Sequence, residues 1–287
     1  MEVHVDIISA FTHGNQGGNP AGVVLNADAL SPSQKQRVAA CVGLSETAFV
    51  SKSNTASVKL EFFTPSKQIA HCGHATVATF SYLHQQAFIG TGEFTKETID
   101  GTRDISVRES GAFMQQLAPQ YTSLNEDKAD VLKACGLHED QISAAPMRVD
   151  TGNGFIVIGV NDDAILGGLS PDFALMTSLS QKHDLVGFYV FALPQNSTKS
   201  DALARMFAPY YGIDEEAATG MAAGPLACYL HDIFGIKKHT FTIEQGGLMS
   251  PPSPSLIHVE LALKDAQIIS LMAGGIGKKI DNRIIRL

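Results

Sequence analysis

"CGHATVATFSYLH" at residues 72–84 and "TGMAAGPLACYLH" at residues 219–231 lie 147 positions apart and align without a gap. Gly73 meets Gly220 and Ala75 meets Ala222, while Tyr82, Leu83 and His84 meet Tyr229, Leu230 and His231. Upstream, "FFTPS" (62–66) echoes "MFAPY" (206–210), with three extra residues in the second loop. Downstream of each stretch come β-rich segments. A short match set inside the same order of elements predicts two homologous halves. Residues 75–83 and 221–230 carry no charge and many small side chains. Each therefore reads as a helix buried on all sides, around which a sheet can close tightly.

The remaining elements fit that frame. "SPSQKQRVAACVG" (31–43) predicts a helix with Ser31 as cap, Pro32 at its first position and Gly43 at its end. "TAFVSKS" (47–53) and "SVKLEFFT" (57–64) read as strands, and Asp100-Gly101 between two β-rich runs signals a hairpin. Hairpins point to antiparallel sheet rather than a βαβ nucleotide fold. The expectation is an α+β protein of two similar domains, each a twisted, mostly antiparallel sheet wrapped around a central buried helix. The expected domains are residues 1–118 and 119–287, with the last segment free to pack back on the first domain.

Composition bounds the function. At 44% hydrophobic and 17% charged, the 287-residue chain can bury large surfaces. A net charge of −8 argues against a nucleic-acid partner. "MEVHVDIISAF" lacks a basic segment followed by an apolar run, so no signal peptide is expected, and no apolar run reaches membrane-spanning length. The four cysteines, Cys41, Cys72, Cys135 and Cys228, form no CxxC pair, which fits a reduced, cytoplasmic chain.

Gly73 and Gly220 stand at the starts of the two buried helices, where unpaired N–H groups and the positive end of the dipole collect. If a pseudo-twofold relates the halves, both starts face one cleft and form an anion or carboxylate site. His71, Cys72 and His74 crowd the first of these starts. A zinc site needs three or four ligands, and the second half offers only Thr219 and Met221 at the matching positions. The cluster therefore reads as a polar helix-entry turn without metal. Cys72 is either activated by the helix start or a small buried thiol. In "GLSETAFV" (43–50), Ser45-Glu46 sits among apolar neighbours. Glu46 is either a solvated turn residue or a desolvated carboxyl suited to general acid/base work. "HGNQGGNPAG" (13–22), carrying Asn19, lacks GK[ST] and runs into a strand, so it is no phosphate loop. "DTGNGF" (150–155) reads as a tight turn.

"GNPAG", "LSETAFV", "FFTPSKQIAHCGHATVAT", "RMFAPYYGIDEEAATGMAAGPLACYL" and "EQGGLMSPPS" occur in this order. Together they resemble the PhzF-like phenazine-biosynthesis family, which has the diaminopimelate epimerase fold, over nearly the whole chain. The resemblance implies an often dimeric, cytoplasmic enzyme that moves a proton between carbons of a small carboxylate-bearing metabolite, with no cofactor and no metal. It casts Glu46 as general acid/base. It also casts Asn19, Ser45, Gly73, His74, Glu216, Gly220 and Met221 as substrate-binding residues. The family's usual "EDPATGS" reads "EEAATGM" here, with Glu216 for Asp, Ala217 for Pro and Met221 for Ser. The related racemases pair two cysteines, but Thr219 stands opposite Cys72 in the repeat. A two-thiol mechanism is therefore not expected. A one-thiol mechanism with Cys72 as base and a non-catalytic small-molecule binding protein are the alternatives.

Overall fold

The computed structural model of the protein describes residues 1–195 and 199–287. They divide into two compact units, residues 1–115 with 274–287 and residues 116–273. In the first unit, β1 (Glu2–Ala10) and β2 (Asn19–Val24) pair antiparallel. Next comes α1 (Pro32–Val42), started by a capping box between Ser31 and Gln34 and ended by Gly43 in the left-handed region. After it come β3 (Thr47–Ser51), β4 (Val58–Phe63), β5 (Gln68–Ile69), α2 (Gly73–Gln85), β6 (Gly92–Thr98), β7 (Gly101–Arg108) and β8 (Gly111–Leu117). The β6–β7 hairpin closes with Thr98 opposite Gly101. The turn residues are therefore Ile99-Asp100, one position earlier than the Asp-Gly pair suggests.

The second unit contains β9 (Gln120–Ser123), α3 (Lys128–Cys135), β10 (Ile142–Asp150), β11 (Gly154–Val160), α4 (Asp163–Gly167) and α5 (Phe173–His183). It continues with β12 (Gly187–Ala192), β13 (Ala202–Ala208), β14 (Ile213–Glu216), α6 (Gly220–Asp232), β15 (Thr240–Gln245), β16 (Ser255–Lys264) and β17 (Gln267–Gly275). The order repeats that of the first unit, with β9, α3 and α4 added. The last strand, β18 (Gly277–Arg286), belongs to the first unit and pairs antiparallel with β1, from Glu2 opposite Arg286 to Ala10 opposite Gly277.

The sheets are mixed. β2 pairs parallel with β3 and β4 with β6, and in the second unit β11 pairs parallel with β12 and β13 with β15. In each case a helix separates the two strands and returns the chain to the end where it started, which makes the pair parallel. The hairpin signals could reveal only the antiparallel connections.

The two central helices are both 13 residues long and begin and end at the spacing of the sequence repeat. In α2 residues 73–83 are all buried, and in α6 so are Gly220 and residues 222–231. Burying every face of a helix that carries no charge needs no compensating ion pair, so the low charge of these stretches follows from their position. In the first unit, α1 packs Val38, Ala39 and Val42 with Val5, Val24 and Phe49 of the sheet. In the second, α3 and α5 pack Val131, Leu132, Met176 and Leu179 with Ile156, Ile158 and Phe188. Among the described residues no helix is long and apolar enough to cross a membrane.

Candidate active site

The two central helices, like α3, start without a side-chain cap. α1, α4 and α5 each have a side chain, from Ser31, Asp162 and Asp172, accepting a hydrogen bond from the first turn. At α2 and α6 the cap positions are Cys72 and Thr219, and neither makes a side-chain cap hydrogen bond. Both starts lie at the positive end of a helix dipole, which favours a negatively charged ligand group.

At the α2 start, Glu46, Cys72 and His74 converge. Glu46 ends the turn after α1, and its carbonyl accepts a hydrogen bond from Gly22 N (3.0 Å), locking it to β2. A Cβ on Gly22 would sit 2.8 Å from Thr47 Oγ1, so only glycine lets β2 and β3 approach this closely. Glu46 is 7% exposed and His74 4%, which settles Glu46 as a buried carboxyl rather than a solvated turn residue. Glu46 Oε2 lies 3.3 Å from His74 Nε2 and accepts no well-directed hydrogen bond among the described residues. The opposite ring nitrogen, His74 Nδ1, lies 3.5 Å from Cys72 Sγ. The imidazole therefore stands between a thiol and a carboxyl.

The same three side chains place ligand atoms within 4.8 Å of one another, a spacing compatible with a metal. His74 turns different nitrogens toward the other two groups, however. The lone pairs of one ring diverge, so this orientation passes a proton along a line better than it focuses three donors on one ion. His71, grouped with Cys72 and His74 by sequence, is not part of the cluster. Of the other candidates in this unit, Asn19 and Gly73 are buried, whereas Ser45 is exposed next to Glu46.

At the α6 start, Glu216 Oε2 accepts a hydrogen bond from Thr219 Oγ1 at 2.5 Å. Gln245 holds this turn: its Oε1 accepts from Thr219 N (3.0 Å) and Tyr189 Oη (2.9 Å), and its Nε2 donates to Glu216 O (2.6 Å). Burial, then the nearby Glu216 carboxylate, raises the Tyr189 phenol and keeps it a neutral donor. Gln116 Nε2 donates to Gly220 O (2.9 Å), while its Oε1 accepts from Thr151 (2.7 Å). The 150–155 turn carries Asn153, whose Nδ2 approaches the sulfur of half-buried Met221 at 3.8 Å.

Sequence reasoning missed Gln116, Gln245 and Lys96. Lys96 lies in β6, has no exposed surface, and donates to Thr76 Oγ1 at 2.7 Å in α2. Phe94 and Thr98 share its side of the strand, so strict alternation could have flagged it as an inward lysine. The two glutamines have no such local signal.

An α+β chain with the same buried helix in each unit, each start uncapped and lined with polar groups, has the architecture of an epimerase-like isomerase. The chain matches the family model "Phenazine biosynthesis-like protein" over residues 8–274 and belongs to that PhzF-type family of isomerases. It is 32% identical over 279 residues to an isomerase of Salmonella typhimurium called YddE, covering 93% of both chains. It is 36% identical over 234 residues, 79% of each chain, to trans-2,3-dihydro-3-hydroxyanthranilate isomerase of Pseudomonas chlororaphis. A PhzF-family crystal structure from Bacillus anthracis superposes with a TM-score of 0.91 at 25% identity over the full length of both chains.

Proposed function

We propose that this isomerase moves a proton between two carbons of a small, carboxylate-bearing metabolite, with Glu46 as the general acid/base and without cofactor or metal. The observation that carries the proposal is the buried Glu46 carboxyl beside His74 at an uncapped helix start. Ionised Glu46 takes a proton from carbon, and the electron pair of the broken C–H bond spreads into the adjoining unsaturated system. The N–H groups of the α2 start offset the developing negative charge. The Glu46 carboxylic acid then returns the proton at another carbon, so no electrons leave or enter.

Asn19, Gly73 and His74 are proposed to bind substrate in the first unit, and Glu216, Gly220 and Met221 in the second. Ser45 is retained as a contact that an entering ligand can reach. Substituting Met221 for the serine usual in the resemblance replaces a hydroxyl donor with a thioether, so the preferred substrate offers an apolar edge there. The enzyme is proposed to act in the cytoplasm as a homodimer, with no nucleic-acid or membrane partner.

The test is turnover of trans-2,3-dihydro-3-hydroxyanthranilate, or a related cyclic unsaturated amino-carboxylate, in heavy water. Deuterium at carbon is the expected result. Binding without exchange across the series would leave a binding protein in place of an enzyme.

The 3.5 Å approach of Cys72 Sγ to His74 Nδ1 favours one rival, a base on sulfur. Cys72→Ala is expected to keep the exchange rate within about tenfold of wild type, below the loss typical of an acid/base group. Loss of exchange in Cys72→Ala, with Glu46→Gln still active, would transfer the role to the thiol.

A further inference from the structure

Thr219 stands at the N-cap of α6, where a threonine hydroxyl normally accepts a hydrogen bond from the first helical turn. It makes no such bond. Its Oγ1 instead lies 2.5 Å from Glu216 Oε2 and 3.2 Å from Gln245 Nε2. Forgoing the cap costs the helix stability, so the hydroxyl is committed to another task.

The direction of each bond follows from the groups that have only one role. Thr219 N can only donate, and it meets Gln245 Oε1 at 3.0 Å. Glu216 O can only accept, and it meets Gln245 Nε2 at 2.6 Å. Together they fix the Gln245 amide, because a flipped amide would set carbonyl against carbonyl and N–H against N–H. Tyr189 Oη, 2.9 Å from Oε1, must then donate as well. The second proton on Nε2 points to Thr219 Oγ1, which accepts it. The hydroxyl has one proton of its own, and that proton goes to Glu216 Oε2. A side chain only 2% exposed thus accepts twice and donates twice, which is what a buried amide requires.

We propose that Gln245 is a positioning residue: it pins Thr219 and Glu216 to one amide and turns the Thr219 hydroxyl to donate to Glu216, presenting that carboxylate to the substrate as an ionised acceptor. The titratable groups around Glu216 are already engaged. Tyr189 on β12 spends its proton on Gln245, and Glu215, the preceding residue of β14, receives Arg205 Nε and Nη2 on its two oxygens, each at 2.8 Å. The catalytic consequence rests on the proposed isomerase site: the substrate group that meets Glu216 is an N–H or O–H donor, not a second carboxylate.

The test uses the ligand-free protein. Glutamate is labelled with carbon-13 at its side-chain carboxyl, and the Glu216 signal is assigned by its loss in Glu216→Gln. A hydrogen bond to the charged form keeps a carboxylate ionised to lower pH, so Thr219→Val should raise the Glu216 midpoint by about one pH unit. Thr219→Ser keeps the hydroxyl and should return the midpoint close to wild type. Gln245→Met should also raise it, and the double variant with Thr219→Val should rise no higher than Thr219→Val alone, because the glutamine acts through the threonine. A merely structural glutamine would lower the melting temperature and leave the midpoint where it was. An unmoved midpoint in Gln245→Met would therefore overturn the proposal. So would an unmoved midpoint in Thr219→Val, an outcome readable even if Gln245→Met does not fold. A protein that shows these shifts but exchanges no deuterium would sink the isomerase reading and leave the role of Gln245 standing.

Discussion

Glu46→Gln is expected to lower the rate of carbon–hydrogen exchange by about two to four orders of magnitude, the range typical of a lost acid/base group. Glutamine keeps the shape and one carbonyl acceptor but cannot carry the transferable proton. The backbone bond from Gly22 N to Glu46 O does not involve the side chain, so β2 and β3 should stay in register. The variant should therefore fold and bind 3-hydroxyanthranilate, used as a substrate-like aromatic probe, with affinity near that of wild type. Deuterium incorporation measured in parallel on both proteins decides the matter. Equal exchange would remove Glu46 from the mechanism. Lost binding together with lost exchange would make it a substrate anchor instead.

Gly246→Ala should cost about 2–4 kcal/mol through backbone strain and overpacking combined. Gly246 follows Gln245 with φ at 77°, in the left-handed region. A Cβ there would overlap the carbonyl oxygens of both Ser253 and Ala217. Neither can retreat freely: Ser253 N donates to Gly246 O at 2.9 Å, and Ala217 is buried in the turn that Gln245 holds. For a chain this long the melting temperature should fall by roughly 5–10 °C. The damage should also reach function, because Thr219 N depends on Gln245 Oε1 for its place. Gly247→Ala is the control, since a Cβ there meets nothing within 4 Å and should change stability by no more than about 0.5 kcal/mol. Equal melting of the two variants would show that the turn relaxes around the added methyl.

Much of this architecture could be read in the residues. The two central helices follow from an ungapped match, and their common length confirms that the match marks whole elements. The ends of α1 were legible because Ser31, Pro32 and Gly43 act through local backbone geometry. Parallel pairing was hidden because it depends on where a helix returns the chain, which no turn residue encodes. Glu46 illustrates the limit for the site. Its neighbours in sequence left burial undecided, and only the packing of β2, β3 and α2 encloses it. Gln245 and Gln116 are further from view, since each serves a turn many residues away in sequence.

The pairing of β18 with β1 has a consequence for synthesis. One edge of β1 is covered by β2 soon after both are made, but the other waits for residues 277–286. At about 5–20 residues per second, translation leaves that edge open for roughly 15–55 s. During this interval the β-rich first segment is a template for pairing with another nascent chain. Residues 116–273 form a contiguous unit and can close their contacts first. The amino-terminal unit, begun first on the ribosome, would then be the last to finish, and a slowed or truncated carboxyl end would damage the part of the protein made earliest.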